Sequence, residues 1–276
     1  MIEAAIKYFV KEEKSLVIKK NEYLIETALL THGLYSVSDE ELIRLWEPEE
    51  KSIVWLEKGK IKIGGIEEYL PLRKRAKEVA RISYDMLDKA ISEKRDAALT
   101  ASATMLVAER EGIGLAVTSG MGGVSDIEGE KLCPDLFAIR DIKVVLIATV
   151  PKDVVDVKET LEWFKKEKVA VYGHYKPYIN GFMVIGQEYD INGVWTGEYP
   201  KPPMLLLNPI SEEERIKDSD IIKKAKAFAK EEQGRGEAYH PAANKYLDIA
   251  TGGRSSILQL KQLIRNAWWA RELSKS

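Results

Sequence analysis

The stretch KVVLIATV, residues 143–150, constrains the fold more than any other part of the chain. Its apolar run is continuous and rich in β-branched residues, which is typical of a strand buried on both faces of a parallel sheet. A helical pattern follows over residues 153–168. A buried strand followed directly by a helix is a βα unit, and it predicts a mostly parallel sheet covered by helices.

Other segments fit the same architecture. Apolar runs at residues 169–172 and 204–209 predict two further buried strands, and KSIVWLEKGKIKIGG predicts a β-hairpin around Lys58-Gly59. Apolar spacing of three and four predicts two helices over residues 71–111, and helical patterns return near the C-terminus. The sequence therefore predicts one layered α/β/α domain over residues 1–276, with a mostly parallel or mixed central sheet.

Lys152 lies in the turn after the 143–150 strand, beyond the carboxyl end, where ligands gather in open α/β sheets. A lysine amine has a reference pKa of about 10.4, so only about one in a few thousand is neutral at pH 7. To act as a nucleophile it needs burial or a nearby cation to lower its pKa. The other interpretation, a solvated charge in a βα turn, stays open.

A second candidate is the stretch GLAVTSGMGGVSD, residues 114–126, in which an apolar run enters a glycine-rich turn. Gly120, Gly122 and Gly123 lack a Cβ, so the backbone there can adopt positive φ and converge its N–H groups on an anion such as phosphate. The spacing is neither that of a dinucleotide fingerprint nor that of a P-loop. A tight turn and an anion cradle are both compatible with it.

Glu26 interrupts an apolar run that extends from Tyr23 to Leu30 and is interpreted as a strand. A carboxylate in such a run either faces solvent or is held in a pocket that raises its pKa and suits it to proton transfer. His32, at the predicted strand end, could cap, bind phosphate or hydrogen-bond in the core.

Acidic residues are concentrated at Glu128, Glu130 and Asp135, after the glycine-rich turn. Oxygen ligands of this kind suit a hard divalent ion, but the segment has neither a histidine nor a fixed ligand spacing. Solvated surface acids are the default interpretation.

The composition excludes several classes of protein. Lys and Arg number 42 against 44 Asp and Glu, so no broad basic surface for a nucleic-acid polymer or a membrane is implied. The one cysteine, Cys133, rules out an internal disulfide framework, and no stretch approaches the length of a membrane span. We therefore expect a soluble cytoplasmic protein.

Seven segments together resemble the pseudouridine-5′-phosphate glycosidases, also called indigoidine synthase A-like proteins. The likeness extends from about Asn21 to the C-terminal helix, in the family's order and at nearly its spacing. The segments are ETALLTHG (26–33), LTASATM (99–105), VTSGMGGVSDIEG (117–129), CPDL (133–136), VPKDVVD (150–156), NPIS (208–211) and ATGG (250–253).

The resemblance implies a reaction. Members of the family reversibly break the C–C glycosidic bond of pseudouridine 5′-phosphate to give uracil and ribose 5-phosphate, with a divalent metal, usually manganese. Such a bond has no leaving heteroatom, so opening the ribose and capturing C1′ as a lysine imine supplies the electron sink. By this resemblance Lys152 is the nucleophile, Glu26 is the proton donor, and the protein is a homotrimer that binds a small nucleotide.

The resemblance also implies a ligand set. Asp135 and Glu130 are the predicted metal ligands, although Lys131 competes with Glu130 for its position. The predicted substrate contacts are Lys77, Ala101, Thr118, Gly120, Gly122, Gly123, Cys133, Asp135, His32 and Gln259.

Two positions depart clearly from the family pattern. Ser125 replaces a histidine, and Gln259 replaces an asparagine. The chain is therefore a divergent member with room for a changed base or sugar. The alternatives are a catalytically silent phosphosugar-binding protein and a Schiff-base lyase that acts on a different phosphosugar.

Overall fold

The computed structural model describes residues 22–125, 131–197, 199–237 and 239–275, and these residues form eleven strands and ten α-helices. The strands are β1 (Leu24–Ile25), β2 (Ile53–Glu57), β3 (Lys60–Gly64), β4 (Ala80–Ile82), β5 (Ala97–Leu99), β6 (Leu115–Val117), β7 (Val145–Ala148), β8 (Ala170–Gly173), β9 (Tyr178–Ile179), β10 (Tyr189–Asp190) and β11 (Met204–Leu207). The α-helices are α1 (Ala28–His32), α2 (Asp39–Leu45), α3 (Ile66–Arg73), α4 (Leu87–Ser92), α5 (Ala101–Arg110), α6 (Pro134–Asp141), α7 (Val157–Lys166), α8 (Asp220–Gly234), α9 (Tyr239–Ala250) and α10 (Arg254–Ser274).

Nine strands make one sheet in the order β4-β5-β2-β1-β6-β7-β11-β8, with β3 paired to β2. The six strands from β2 to β8 in this order run parallel, whereas β3 and β5 run antiparallel to β2. This arrangement confirms the predicted layered α/β fold with a mostly parallel, mixed sheet.

The two faces of β7 show how the layers form. Leu146 and Ala148 pack in one apolar cluster with residues of α5 and α6, whereas Val145 and Ile147 pack in the other with residues of α10. All four side chains are fully buried. Helices therefore cover both faces, which explains why the 143–150 run is continuous rather than alternating.

The hairpin prediction is also confirmed. Glu57 pairs with Lys60, and the two residues between them have positive φ, 48° at Lys58 and 72° at Gly59. A two-residue turn of this kind matches the right-handed twist of the two strands that it joins.

Two secondary-structure predictions are wrong. The segment 71–111, interpreted as two helices, contains the short strands β4 and β5. The strand predicted through Leu30 ends at Ile25, and residues 28–32 form α1 instead. The alanines of β5 favour a helix locally, but pairing with β2 and β4 prevails over that preference.

A long connection after β8 packs against the turn that carries Lys152. The carboxylate of Asp153 accepts hydrogen bonds from the backbone N–H groups of Phe182, Met183 and Val184, at 2.7, 2.8 and 3.1 Å. Phe182 lies against Gly120, where a Cβ would come within 2.8 Å of its ring. The connection is thereby fixed beside the carboxyl ends of β6 and β7.

A search of the described residues finds no helix with both the length and the apolar character needed to cross a bilayer.

Candidate active site

Glu26 follows β1 directly, where its backbone N–H donates to the carbonyl of Val117 on β6. Its side chain is 6% exposed, and Oε1 accepts a hydrogen bond from Oγ1 of Thr118 at 2.6 Å. Burial raises the pKa of Glu26, while the nearby charge of Lys152 and the Thr118 hydrogen bond oppose the rise. The geometry therefore supports the interpretation that Glu26 is held in a pocket that raises its pKa, rather than the one in which it faces solvent.

Lys152 reaches the same place from β7. Its backbone N–H donates to the carbonyl of Met121 at 3.0 Å, which fixes the turn against the glycine-rich loop. Burial lowers the pKa of Lys152, and the charge of Arg81 lowers it further; the negative charges of Glu26 and Asp135 act in the opposite direction. A lowered amine pKa is the property that a nucleophilic lysine requires.

Both side chains line one small cavity with a volume of about 30 Å³. Its walls come from the ends of strands and from helices on both sides of the sheet. The lining residues are Glu26, Ala28, Leu29, His32, Gly33, Arg81, Ser119, Gly120, Lys152, His240, Pro241, Asn244 and Gln259. Five of the predicted site residues therefore meet here: Glu26, His32, Gly120, Lys152 and Gln259.

The cavity wall holds polar atoms that have no hydrogen-bond partner among the described residues. Nδ1 of His32, Nδ1 of His240 and both amide atoms of Gln259 are buried without a hydrogen bond. Buried polar groups in native proteins are nearly always paired, so unpaired groups around one cavity indicate a polar ligand or ordered water. Gln259 is only 1% exposed and can offer a donor and an acceptor together.

The two ring nitrogens of His32 differ, because Nε2 is hydrogen-bonded and Nδ1 has no partner among the described residues. Its Nε2 lies 3.2 Å from the carbonyl oxygen of Ala76 and 3.1 Å from that of Val79, which requires the proton on Nε2. Burial lowers its pKa. In a neutral ring with its proton on Nε2, Nδ1 is left as a hydrogen-bond acceptor, and His32 lines the cavity.

The glycine-rich turn owes its sequence to close packing rather than to unusual backbone angles. Neither Gly122 nor Gly123 is among the positive-φ glycines of the described residues. A Cβ on Gly122 would lie 2.1 Å from Sγ of Cys133, and one on Gly123 would lie 2.4 Å from Oγ1 of Thr160. The N–H of Gly122 already donates to Oδ2 of Asp135 at 3.0 Å. In this turn a protein carboxylate occupies the place that was predicted for an anion.

Several predicted contacts form a layer behind the cavity. Asp135 is 7% exposed, and its Oδ1 accepts from the backbone N–H of Ser102 at 3.1 Å. Cys133 precedes α6, and Ala101 begins α5 beside it. Thr118 contacts Glu26 but does not line the cavity. These residues support the site, and their direct contact with substrate stays a prediction.

The described residues hold no complete set of protein ligands for a divalent metal. They contain no group of three His, Cys, Asp or Glu side chains that could hold one. Both oxygens of Asp135 already accept backbone hydrogen bonds. The second predicted ligand, Glu130, lies outside the described residues. No chemical step is therefore assigned to a metal.

Lys77 is not part of the cavity. Its side chain is exposed and absent from the lining, whereas Arg81 of β4 lines it. The family resemblance placed the basic substrate contact at Lys77, whereas the basic residue of this region that lines the cavity is Arg81. Contact of either residue with substrate stays a prediction. The sequence signal that could have identified Arg81 is the run Arg81-Ile82-Ser83, a basic residue shortly before a serine.

His240 is the second lining residue that the sequence analysis missed. It lies in the first turn of α9, is 7% exposed, and has a pKa well below the usual value because of burial and the charges of Lys152 and Arg81. The signal available was its rarity, since the chain has three histidines, and its place before Pro241.

Comparisons with known proteins identify the family. The family model "Indigoidine synthase A like protein" matches residues 24–198. The chain is 27% identical to a pseudouridine-5′-phosphate glycosidase of Kosmotoga olearia over 91% of this chain and 94% of that protein. It is 26% identical to one of Petrotoga mobilis, over 96% and 95%.

Two solved structures share the fold. An indigoidine synthase A-like protein from Thermotoga maritima superposes with a TM-score of 0.77 at 23% identity, covering 94% of this chain and 96% of that one. The prealnumycin C-glycosynthase AlnA, in complex with ribulose 5-phosphate, gives 0.70 at 23% identity, over 92% and 90%. Because the family model covers more than half of the sequence, the chain belongs to the indigoidine synthase A-like family.

Proposed function

We propose that this chain breaks the C–C glycosidic bond of pseudouridine 5′-phosphate and releases uracil and ribose 5-phosphate, through an imine between C1′ and Lys152. The observation that carries the proposal is the pairing of a buried carboxyl with a buried amine in one cavity, with their pKa values moved toward each other. The names of the relatives from Kosmotoga olearia and Petrotoga mobilis support it.

The first step opens the sugar. The neutral amine of Lys152 attacks C1′ while the C1′–O4′ bond breaks, and protonated Glu26 gives its proton to O4′. The new nitrogen–carbon bond leaves a secondary ammonium, which must lose a proton before the next step. A carboxyl kept protonated and an amine kept neutral at one pH are the forms that this step needs.

The second step breaks the carbon–carbon bond. C5 takes up a proton as the C5=C6 electron pair forms the new C5–H bond and N1 carries the resulting positive charge. The nitrogen lone pair of Lys152 then forms the C1′=N bond, and the C1′–C5 electron pair re-forms C5=C6 and releases neutral uracil. Water then adds to the iminium, the carboxylate of Glu26 recovers a proton, and ribose 5-phosphate leaves as the aldehyde. Nucleophile and acid are thus regenerated.

The polar lining of the cavity suits an opened sugar phosphate. Gln259 and the free Nδ1 of His32 offer partners for hydroxyl groups, and Arg81 at the exposed edge offers a cation for the phosphate. A guanidinium binds phosphate oxygens in a bidentate manner that an ammonium does not match.

Uracil release from the nucleotide, compared between wild type and Lys152→Ala, tests the proposal. We expect the variant to lose release, and borohydride with ribose 5-phosphate to trap a stable adduct on Lys152 of the wild type only. Lys158→Ala, at an exposed position of α7, is the matched control. Equal release by wild type and Lys152→Ala would refute the assigned nucleophile.

A second candidate is a Schiff-base lyase acting on a different phosphosugar conjugate. The observation that favours it is the structural likeness to a C-glycosynthase in complex with ribulose 5-phosphate. Adduct formation on Lys152 without uracil release would select this candidate. An absence of both would leave the phosphosugar-binding protein.

The manganese ion and the homotrimer implied by the family resemblance remain predictions. Uracil release after treatment with a chelator tests the first, and sedimentation velocity tests the second.

A further inference from the structure

His240 is held rigidly at the cavity wall. It lies in the first turn of α9, and the ring of Tyr239 contacts it edge-on at 5.7 Å with an angle of 86° between planes. The carbonyl of the next residue, Pro241, accepts a hydrogen bond from the hydroxyl of Tyr35 at 3.1 Å. The imidazole is therefore presented to the cavity from a fixed backbone position.

The three histidines differ in what their ring nitrogens do. Nε2 of His32 is committed to two backbone carbonyls, and His174 stacks between Tyr175 and Trp269 with Nδ1 3.3 Å from Oδ1 of Asn208. Nδ1 of His240 is buried and has no hydrogen-bond partner among the described residues. His240 therefore has an unused nitrogen beside Lys152.

His240 is also kept neutral. Burial is the largest cause of its lowered pKa, followed by the positive charges of Lys152 and Arg81. A neutral imidazole carries one N–H and one free lone pair, so it can accept one proton and return it. The other titratable or charged side chains that share this cavity are Glu26 and His32.

The proposed reaction must also move a proton from the nitrogen of Lys152 to C5 of the base. Glu26 gives its proton to O4′ in the step that forms the secondary ammonium, and its carboxylate is needed again for hydrolysis. The ammonium must lose a proton before its lone pair can break the C1′–C5 bond, and C5 must gain one in that cleavage. One base near the nitrogen can connect both events.

We propose that His240 is a further catalytic residue, which accepts the proton of the secondary ammonium on Lys152 and delivers it to C5 of the departing base. In the first transfer an N–H bond of the ammonium breaks and an N–H bond of the imidazolium forms. In the second the imidazolium N–H breaks as the C5–H bond forms, so the imidazole returns to its neutral state. This inference rests on the proposed function.

The test combines two substitutions with a matched control. His240→Gln keeps a polar side chain but cannot carry a proton, and His240→Ala leaves space for added imidazole. His174→Gln makes the same change at the histidine outside the cavity. Uracil release and borohydride trapping of ribose 5-phosphate are measured on each protein, together with a pH profile of kcat/KM.

We expect His240→Gln to slow uracil release by about 10²–10⁴-fold, the usual contribution of a general acid–base. Trapping on Lys152 should stay within about twofold of wild type, since ribose 5-phosphate has no C1′–C5 bond to break. Imidazole should restore part of the release by His240→Ala. The limiting acid slope of log kcat/KM should fall from about 2 to about 1, because one fewer group must be unprotonated.

Three results would overturn the inference. Release by His240→Gln at the wild-type rate with an unchanged pH profile would do so while leaving the proposed function intact. A wild type that neither releases uracil nor forms the adduct would remove both. Equal losses of trapping and release, without imidazole rescue, would assign His240 a structural role instead.

Discussion

The hydroxyl of Thr118 provides a direct way to shift the proton affinity of Glu26. It donates to Oε1 at 2.6 Å, and this bond lowers the pKa of a carboxyl that burial otherwise raises. Thr118→Val removes the donor with little change of shape. The backbone N–H and carbonyl of Thr118, bonded to Ile147 and Asn266, are unaffected.

The size of the effect follows from the two protonation states. A hydrogen bond to a charged group contributes about 1.5–3 kcal/mol, and one to a neutral group about 0.5–1.5 kcal/mol. The difference is about 1.4 kcal/mol, which corresponds to about 1 pH unit. Losing the donor costs the carboxylate more than the acid, so the pKa of Glu26 rises.

The assay is the pH profile of kcat/KM for uracil release. We expect the limb that Glu26 sets to move to higher pH by about 1 unit in Thr118→Val. Thr104→Val is the control, because that buried hydroxyl has no hydrogen-bond partner in the part of the chain that the structure describes. A limb that stays in place or moves to lower pH would refute the assignment of Glu26 as the titrating acid.

Three further substitutions test other parts of the site. Glu26→Gln should slow uracil release by about 10²–10⁴-fold and reduce trapping of ribose 5-phosphate less, since the free aldehyde needs no O4′ protonation. Arg81→Gln removes a positive charge that lowers the pKa values of both Glu26 and Lys152, so the whole pH profile should move to higher pH. Lys77→Gln is the control and should leave the profile unchanged. The reverse pattern would restore Lys77 as the basic contact. Gly122→Ala places a Cβ 2.1 Å from Sγ of Cys133 and should destabilise the fold by about 1–3 kcal/mol in urea unfolding, an expectation that an unchanged midpoint would contradict.

The elements that the sequence predicted well are those whose local preference and tertiary setting agree. The 143–150 run is β-branched and lies in the middle of the sheet as β7, so Lys152 was placed correctly at its end. The hairpin around Lys58-Gly59 could be predicted from its two-residue turn and the alternating residues beside it. For these segments the local sequence is sufficient to predict the structure.

The missed elements depend on partners that are distant in sequence. Residues 97–99 read Ala-Ala-Leu, which favours a helix, and they form a strand only because β2 and β4 pair with it. Arg81 could not be recognised as a cavity residue without that pairing. His240 is brought to Lys152 by the packing of α9, which no spacing along the chain reveals.

Glu26 and Lys152 hold one proton between them in two ways, as an ion pair or as a neutral acid and amine. Both arrangements contain the same number of protons, so a change of pH cannot convert one into the other. Burial is the largest influence on each group and opposes charge on both, whereas their mutual attraction favours the ion pair. A substrate that fills the cavity removes remaining water and raises the cost of charge further.

In the proposed mechanism substrate binding should therefore favour the neutral pair, so that the same event would prepare the nucleophile and the acid. The hydroxyl of Thr118 acts against this, because its bond stabilises the carboxylate. Thr118→Val should accordingly have a plateau value of kcat/KM equal to or above that of wild type, in addition to its shifted limb. A lower plateau in a fully folded variant would mean that the carboxylate is the working form of Glu26, and the proton given to O4′ would need another source.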